Sequence, residues 1–209
     1  MHHFKRIGIL GGSFNPIHLG HLILAEEARE KLRLDKVIFV PANLAPLKSP
    51  KSLAAPAARS RMVREALGGN PCFEISDIEL KRKGPSYSIE TVREFKSIFR
   101  HARLYFIVGS DFLKEFAAWK DIASLSKICK IVIAERPGYP LRRKPANMQA
   151  MKIRALDISS TDIRKRIGTG KSIRYLVPEK VRKYILKKKR YCVKMKNHSK
   201  GGGEWKHIA

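Results

Sequence analysis

Short apolar runs that alternate with helix-length amphipathic segments constrain this chain more than any other feature. Residues 7–10 precede a helical pattern over 21–32. Residues 37–40 precede one over 57–67, residues 104–108 precede one over 112–118, and residues 128–134 form a further apolar run. Apolar strands separated by helices imply successive βαβ units and a sheet covered on both faces. The expected fold class is therefore α/β, a doubly wound and mostly parallel sheet. In the first helix Leu22, Ala25, Ala28, Arg29 and Leu32 recur at helical spacing, with Glu26, Glu27, Glu30 and Lys31 on the other side. Residues 161–167 and 178–186 read as short helices, and residues 153–156 as a short strand.

Bulk properties bound the rest. A chain of 209 residues with 44% hydrophobic and 30% charged residues supports one globular domain, placed at 1–190, followed by a basic tail at 191–209 without apolar periodicity. No apolar run approaches the roughly 18 residues of a membrane helix, and the first is too short for a signal-peptide core, so a cytoplasmic protein is expected. Cys72, Cys129 and Cys192 are odd in number and far apart, which suggests reduced thiols rather than a disulfide framework or zinc site. The formal charge of +26 points toward polyanions. Eight basic residues against one glutamate fall in residues 187–209, and the remaining excess is spread as on a solvated surface. A basic RNA-binding protein is thus the rival reading from another class.

Between the first apolar run and the first helix lies Gly11-Gly12-Ser13-Phe14-Asn15-Pro16-Ile17-His18-Leu19-Gly20-His21. A helix N-terminus offers unpaired N–H groups and partial positive charge, and preceding glycines let the main chain approach an anion. His18 and His21, three apart, share a face of the first turn, and imidazole donates to phosphate oxygens whether neutral or charged. The segment reads as a phosphate site. It is not the dinucleotide fingerprint, because Gly8, Gly11, Gly12 and Gly20 have the wrong spacing. Nor is Gly168-Thr169-Gly170-Lys171-Ser172 a P-loop, since Lys165 stands where glycine is required and a helix precedes it; a turn is expected there.

Further polar motifs follow the other strands, at residues 41–48, 109–111, 135–138 and 158–164. Ligands of open α/β sheets bind beyond the strand C-terminal ends, so all of these are expected to converge on one crevice.

The H-x-G-H run resembles the signature of the nucleotidyltransferase superfamily. Pro85-Ser86-Tyr87-Ser88, Gly109-Ser110-Asp111, Trp119, Arg136-Pro137-Gly138 and Ile158 to Arg164 together resemble, in order, bacterial nicotinate-nucleotide adenylyltransferase over nearly the whole chain. The resemblance implies a Rossmann-like nucleotidyltransferase of NAD biosynthesis with ATP and nicotinate mononucleotide as partners. It implies that His18 and His21 are catalytic, and that Gly12, Ser13, Phe14, Lys48, Asp111, Ser160 and Arg164 bind ATP, its phosphates or a substrate ribose. It places Tyr87, Ser88, Thr91, Trp119 and Arg136 around nicotinate mononucleotide, with Trp119 stacking on the pyridine. Mg²⁺ is expected on the ATP phosphates, mostly hydrated. Family members often carry P-P-H-K where this chain has Ala45-Pro46-Leu47-Lys48. Nicotinamide mononucleotide or phosphopantetheine remain alternative acceptors, and a homo-oligomer stays open.

Overall fold

In the computed structural model, residues 4–44, 53–113, 119–136, 138–141, 147–154 and 156–191 are described. Six strands form one parallel sheet: β1 (Arg6–Gly12), β2 (Lys36–Pro41), β3 (Phe73–Ile75), β4 (Arg103–Gly109), β5 (Lys130–Ala134) and β6 (Met148–Met151). Their order is β3-β2-β1-β4-β5-β6, so the winding reverses between β1 and β4. That reversal opens the crevice in which doubly wound sheets hold ligands.

Both faces of the sheet are apolar, as parallel sheets require. Leu10, Val37, Phe39, Tyr105, Ile107 and Val132 pack on one face beneath α1 (Leu19–Lys31), α2 (Pro56–Leu67), α6 (Ser160–Gly168) and α7 (Glu179–Lys187). Ile7, Ile9, Ile38, Leu104, Phe106 and Ile131 face the other way, beneath α4 (Ser88–Ile98) and α5 (Ile122–Ile128). A short α3 (Ile78–Lys81) leads toward α4. Ile9 and Ile107 are fully buried, and truncating either to Ala would cost about 2–5 kcal/mol.

Several local expectations change. Ile153, Arg154 and Leu156 are not in the last strand, which lies earlier, at Met148–Met151. The Lys152 carbonyl accepts from Lys31 Nζ at 2.6 Å instead of joining a strand neighbour, and Arg154 is drawn to Glu27. Glu27, expected on the solvent side of α1, is buried at 4% exposure beside Lys31 and Arg154, whose hydrogen bonds hold its carboxylate below the usual range. Ile128 ends α5, and the apolar run behind it becomes a strand only from Lys130. After β4, residues 110–113 make a turn of 3₁₀ helix, and the rest of the helix expected over 112–118 lies outside the described residues. α4 and the three-residue edge strand β3 went unread in the sequence pattern. The glycine-rich stretch after residue 168 is the expected turn, with Gly170 at φ 69°.

Tyr191, first residue of the expected tail, packs against the core and donates its hydroxyl to Asn15 Oδ1 at 2.8 Å. Residues 192–209, with Cys192, lie outside the described residues. Cys129 is a buried free thiol, pushed up to about 12 by desolvation, and Cys72 is also free. No helix among the described residues is long and apolar enough to cross a membrane.

Candidate active site

A cavity of about 480 Å³ opens at the reversal point of the sheet. Its walls include Leu10, Gly11 and Gly12 at the end of β1, and Val108 and Gly109 at the end of β4. Ser13, Asn15, His18, His21, Asp111, Arg136, Ser159, Ser160, Thr161 and Arg164 supply the polar lining. Segments from residue 11 to residue 164 thus converge there. Lys48 falls outside the described residues.

The loop after β1 is shaped by long-range bonds. Phe14 adopts φ 44°, a backbone conformation rarely held by residues other than glycine, asparagine or aspartate, and its buried ring lies under Gly12 and edge-on to His21 at 5.1 Å. The Phe14 side chain supports the loop from below rather than lining the cavity. Asn15, 1% exposed, accepts from the Ala54 N–H and the Tyr191 hydroxyl through Oδ1, and from Arg164 through its carbonyl.

His18 precedes the first residue of α1, and its N–H donates to His21 Nδ1 at 3.2 Å. An accepting Nδ1 leaves Nε2 to carry the proton of the neutral His21 ring, which defines its tautomer. The two rings lie 3.7 Å apart between centroids and 34° from parallel. His18 is only 3% exposed and its Nδ1 has no hydrogen-bond partner. Desolvation, with the nearby Arg136 charge second, depresses its pKa to about 3. His18 is therefore neutral in the free protein at physiological pH, and only an incoming anion would favour its charged form.

Arg136 is the bracket of the opposite wall. Its guanidinium pairs with Asp111 at 3.2 Å and donates to the Ile158 carbonyl at 2.9 Å, while its backbone N–H donates to Ser110 Oγ. Gly109 makes room for this pair: a Cβ there would stand 2.3 Å from Asp111 Oδ1 and 2.9 Å from Arg136 Cδ. Asp111 Oδ1 is buried without a hydrogen-bond partner. At the start of α6, Ser159 caps the helix by accepting from the Asp162 N–H. Ser160 donates to the Pro16 carbonyl at 2.8 Å and Arg164 to the Asn15 carbonyl at 2.8 Å, which fastens this helix to the β1 loop.

The residues expected around the acceptor ring sit apart from that lining. Tyr87 precedes α4 and Ser88 begins it, with Lys120 Nζ 4.2 Å above the Tyr87 ring centroid. Trp119 lies edge-on to Phe106 at 5.8 Å and to Phe112 at 6.4 Å. Phe112, which lines the cavity, connects the two regions. Thr91 is fully buried and its hydroxyl donates to Glu79 Oε1 at 2.7 Å, so that group is already engaged. Burial raises the Glu79 pKa, opposed by hydrogen bonds from Thr91 and Ser86. Arg136, grouped with the acceptor residues by sequence, pairs with Asp111 in the cavity wall, and its charge acts on His18. Asn15, Arg59, Phe112 and Tyr191 were missed; no local spacing distinguishes them, and only contacts between distant segments reveal them.

A sequence model of the cytidylyltransferase-like family matches residues 9–166. A protein of Desulfitobacterium hafniense (strain Y51) that bears the name nicotinate-nucleotide adenylyltransferase is 44% identical over 194 residues, covering 88% of this chain and 94% of the relative. One of Thermus thermophilus with the same name is 44% identical over 183 residues, covering 87% and 97%. The solved Plasmodium falciparum nicotinic acid mononucleotide adenylyltransferase, in complex with NaAD, shares the fold with a TM-score of 0.77 at 21% identity over 90% of this chain and 97% of that one. On the strength of the first two likenesses, and with its H-x-G-H pair on the wall of a crevice at the reversal point, this chain belongs to the nicotinate-nucleotide adenylyltransferase family.

Proposed function

We propose that this protein transfers the adenylyl group of ATP to nicotinate mononucleotide, forming nicotinate adenine dinucleotide and pyrophosphate, as a cytoplasmic step of NAD biosynthesis. The observation that carries this reading is the convergence of His18, His21, Arg136, Ser160 and Arg164 on one cavity at the end of β1, in a chain of this family.

An oxygen of the mononucleotide phosphate attacks the α-phosphorus of ATP, a new P–O bond forms, and the bond to the bridging oxygen breaks with its electron pair leaving on pyrophosphate. No protein nucleophile is needed. The chain has to counter repulsion between two polyanions, align them and stabilise charge on the transferring group. His18 and His21 donate to the phosphates, backbone N–H groups of Gly12, Ser13 and Phe14 cradle them, and Arg164, Ser160 and Lys48 add further contacts. Arg136 supplies positive charge that acts on His18, so its reach extends to the phosphates where the two substrates meet. The unpartnered Asp111 Oδ1 suits a ribose hydroxyl. Tyr87, Ser88 and Trp119 surround the nicotinate ring, with Trp119 as the stacking surface, while Thr91, whose hydroxyl is bonded to Glu79, ties α4 to α3.

The donors at the cavity are mainly cationic or N–H groups, and the carboxylate among its described lining residues, Asp111, is paired with Arg136. Such a set suits phosphate oxygens and leaves Mg²⁺ to be held by the triphosphate and water, where it supplies charge neutralisation.

Pyrophosphate release with MgATP and, separately, nicotinate mononucleotide, nicotinamide mononucleotide and phosphopantetheine tests the proposal. Turnover is expected with nicotinate mononucleotide, and no turnover with either pyridine nucleotide would overturn it.

A further inference from the structure

Arg59 is fully buried, the largest side chain among the described residues to be so. It stands in the first turn of α2 and makes three hydrogen bonds, all to backbone carbonyls. Nε donates to Ala54 at 2.9 Å, Nη1 to Ser13 at 2.9 Å and Nη2 to Asn43 at 3.1 Å. These carbonyls belong to three separate segments: the loop after β1, the loop after β2 and the entry into α2. Asn15 closes the circuit by accepting from the Ala54 N–H.

A buried guanidinium ordinarily pairs with a carboxylate, because desolvating an unpaired charge is costly. Among the described residues none pairs with Arg59, and the Tyr191 phenol is the ionisable group that bears on it. Arginine nevertheless keeps its proton in proteins. A positive charge without a counter-charge among the described residues therefore lies directly behind the loop whose Ser13 and Asn15 line the cavity.

The peptide it grips is the one in the unusual conformation. Ser13–Phe14 is a trans peptide, and in a planar trans peptide the N–H points opposite to the carbonyl. With the Ser13 carbonyl held by Arg59, the Phe14 N–H is turned away from Arg59. A charged donor on the carbonyl also polarises the peptide and strengthens that N–H as a donor.

We infer that Arg59 is a positioning residue for the phosphates of ATP: it sets the Ser13–Phe14 peptide as an anion donor and leaves a positive charge behind it for the nucleotide to complement. This rests on the cavity being the ATP site, and it predicts selectivity, because ATP engages the loop while the pyridine ring of the acceptor does not.

Dissociation constants for MgATP, inorganic pyrophosphate and nicotinate mononucleotide, measured on the wild type, Arg59→Met and Arg59→Lys, test it. Arg59→Met is expected to weaken MgATP and pyrophosphate by about tenfold or more while nicotinate mononucleotide changes less than about twofold, and Arg59→Lys, which keeps the charge, to recover part of the loss. Equal loss for all three ligands, or no loss in the folded variants, would overturn the inference. If Arg59→Met does not fold, the Arg59→Lys comparison decides by the same split. A wild type that binds neither MgATP nor pyrophosphate would instead defeat the reading of the cavity.

Discussion

The imidazole of His18 lies against the Cα of Gly20: a Cβ at Gly20 would stand 3.1 Å from Nδ1 and 3.2 Å from Cε1 of that ring. The glycine of H-x-G-H is thus the space into which the first histidine folds back.

Gly20→Ala should separate stability from activity. Alanine favours a helix over glycine by about 0.5–1 kcal/mol, so Tm should stay level or rise slightly. The displaced His18 ring should lower kcat by about tenfold, since sub-ångström misplacement of a charge-stabilising donor is costly. Paired thermal melts and pyrophosphate-release kinetics check this, and unchanged kcat would show that the ring tolerates the shift.

His18→Ala removes a preorganised donor and is expected to reduce kcat by about 10² in a folded protein. Steady-state kinetics at saturating MgATP measure it. A near-normal kcat would take His18 out of the mechanism.

The depressed His18 pKa links folding to pH. The unfolded chain takes up a proton near 6.5, whereas the folded ring resists until about 3, so the stability it contributes is present above pH 6.5 and is lost as pH falls through that window. The slope is about 1.4 kcal/mol per pH unit for one proton. Urea unfolding of the wild type and His18→Asn from pH 7 to pH 4 should converge toward low pH; a constant gap would break the link.

Thr91→Val keeps shape but removes the hydroxyl that Glu79 accepts. The expected loss is about 1–3 kcal/mol of stability with little change in KM for the acceptor. The Glu79 pKa, already raised, should rise further. A raised folded value contributes stability at low pH that is lost as pH rises, so the variant's deficit should be larger at pH 7 than at pH 4. A large rise in KM with unchanged stability would return Thr91 to the substrate.

Arg136→Met should lower kcat/KM by more than about tenfold, because it removes a charge at the phosphates and leaves Asp111 unpaired. The His18 pKa should rise, since the Arg136 charge is one of its two depressing causes, and an NMR titration of the imidazole would register it.

Much of this protein is legible in the order of its residues. Alternating runs specify a parallel sheet because strand and helix patterns are set by near neighbours, and Gly11 to His21 specify a strand-loop-helix junction for the same reason. The helix that carries Arg164 was also readable, from its local pattern over 161–167. What only the tertiary structure decided involves groups distant in sequence. Thr91 turns to Glu79, Arg136 joins Asp111 and Ile158, Tyr191 reaches back to Asn15, and Arg59 gathers carbonyls from residues 13, 43 and 54. Burial and long-range hydrogen bonds depend on which segments the fold brings together, and the same is true of the proton affinity of His18.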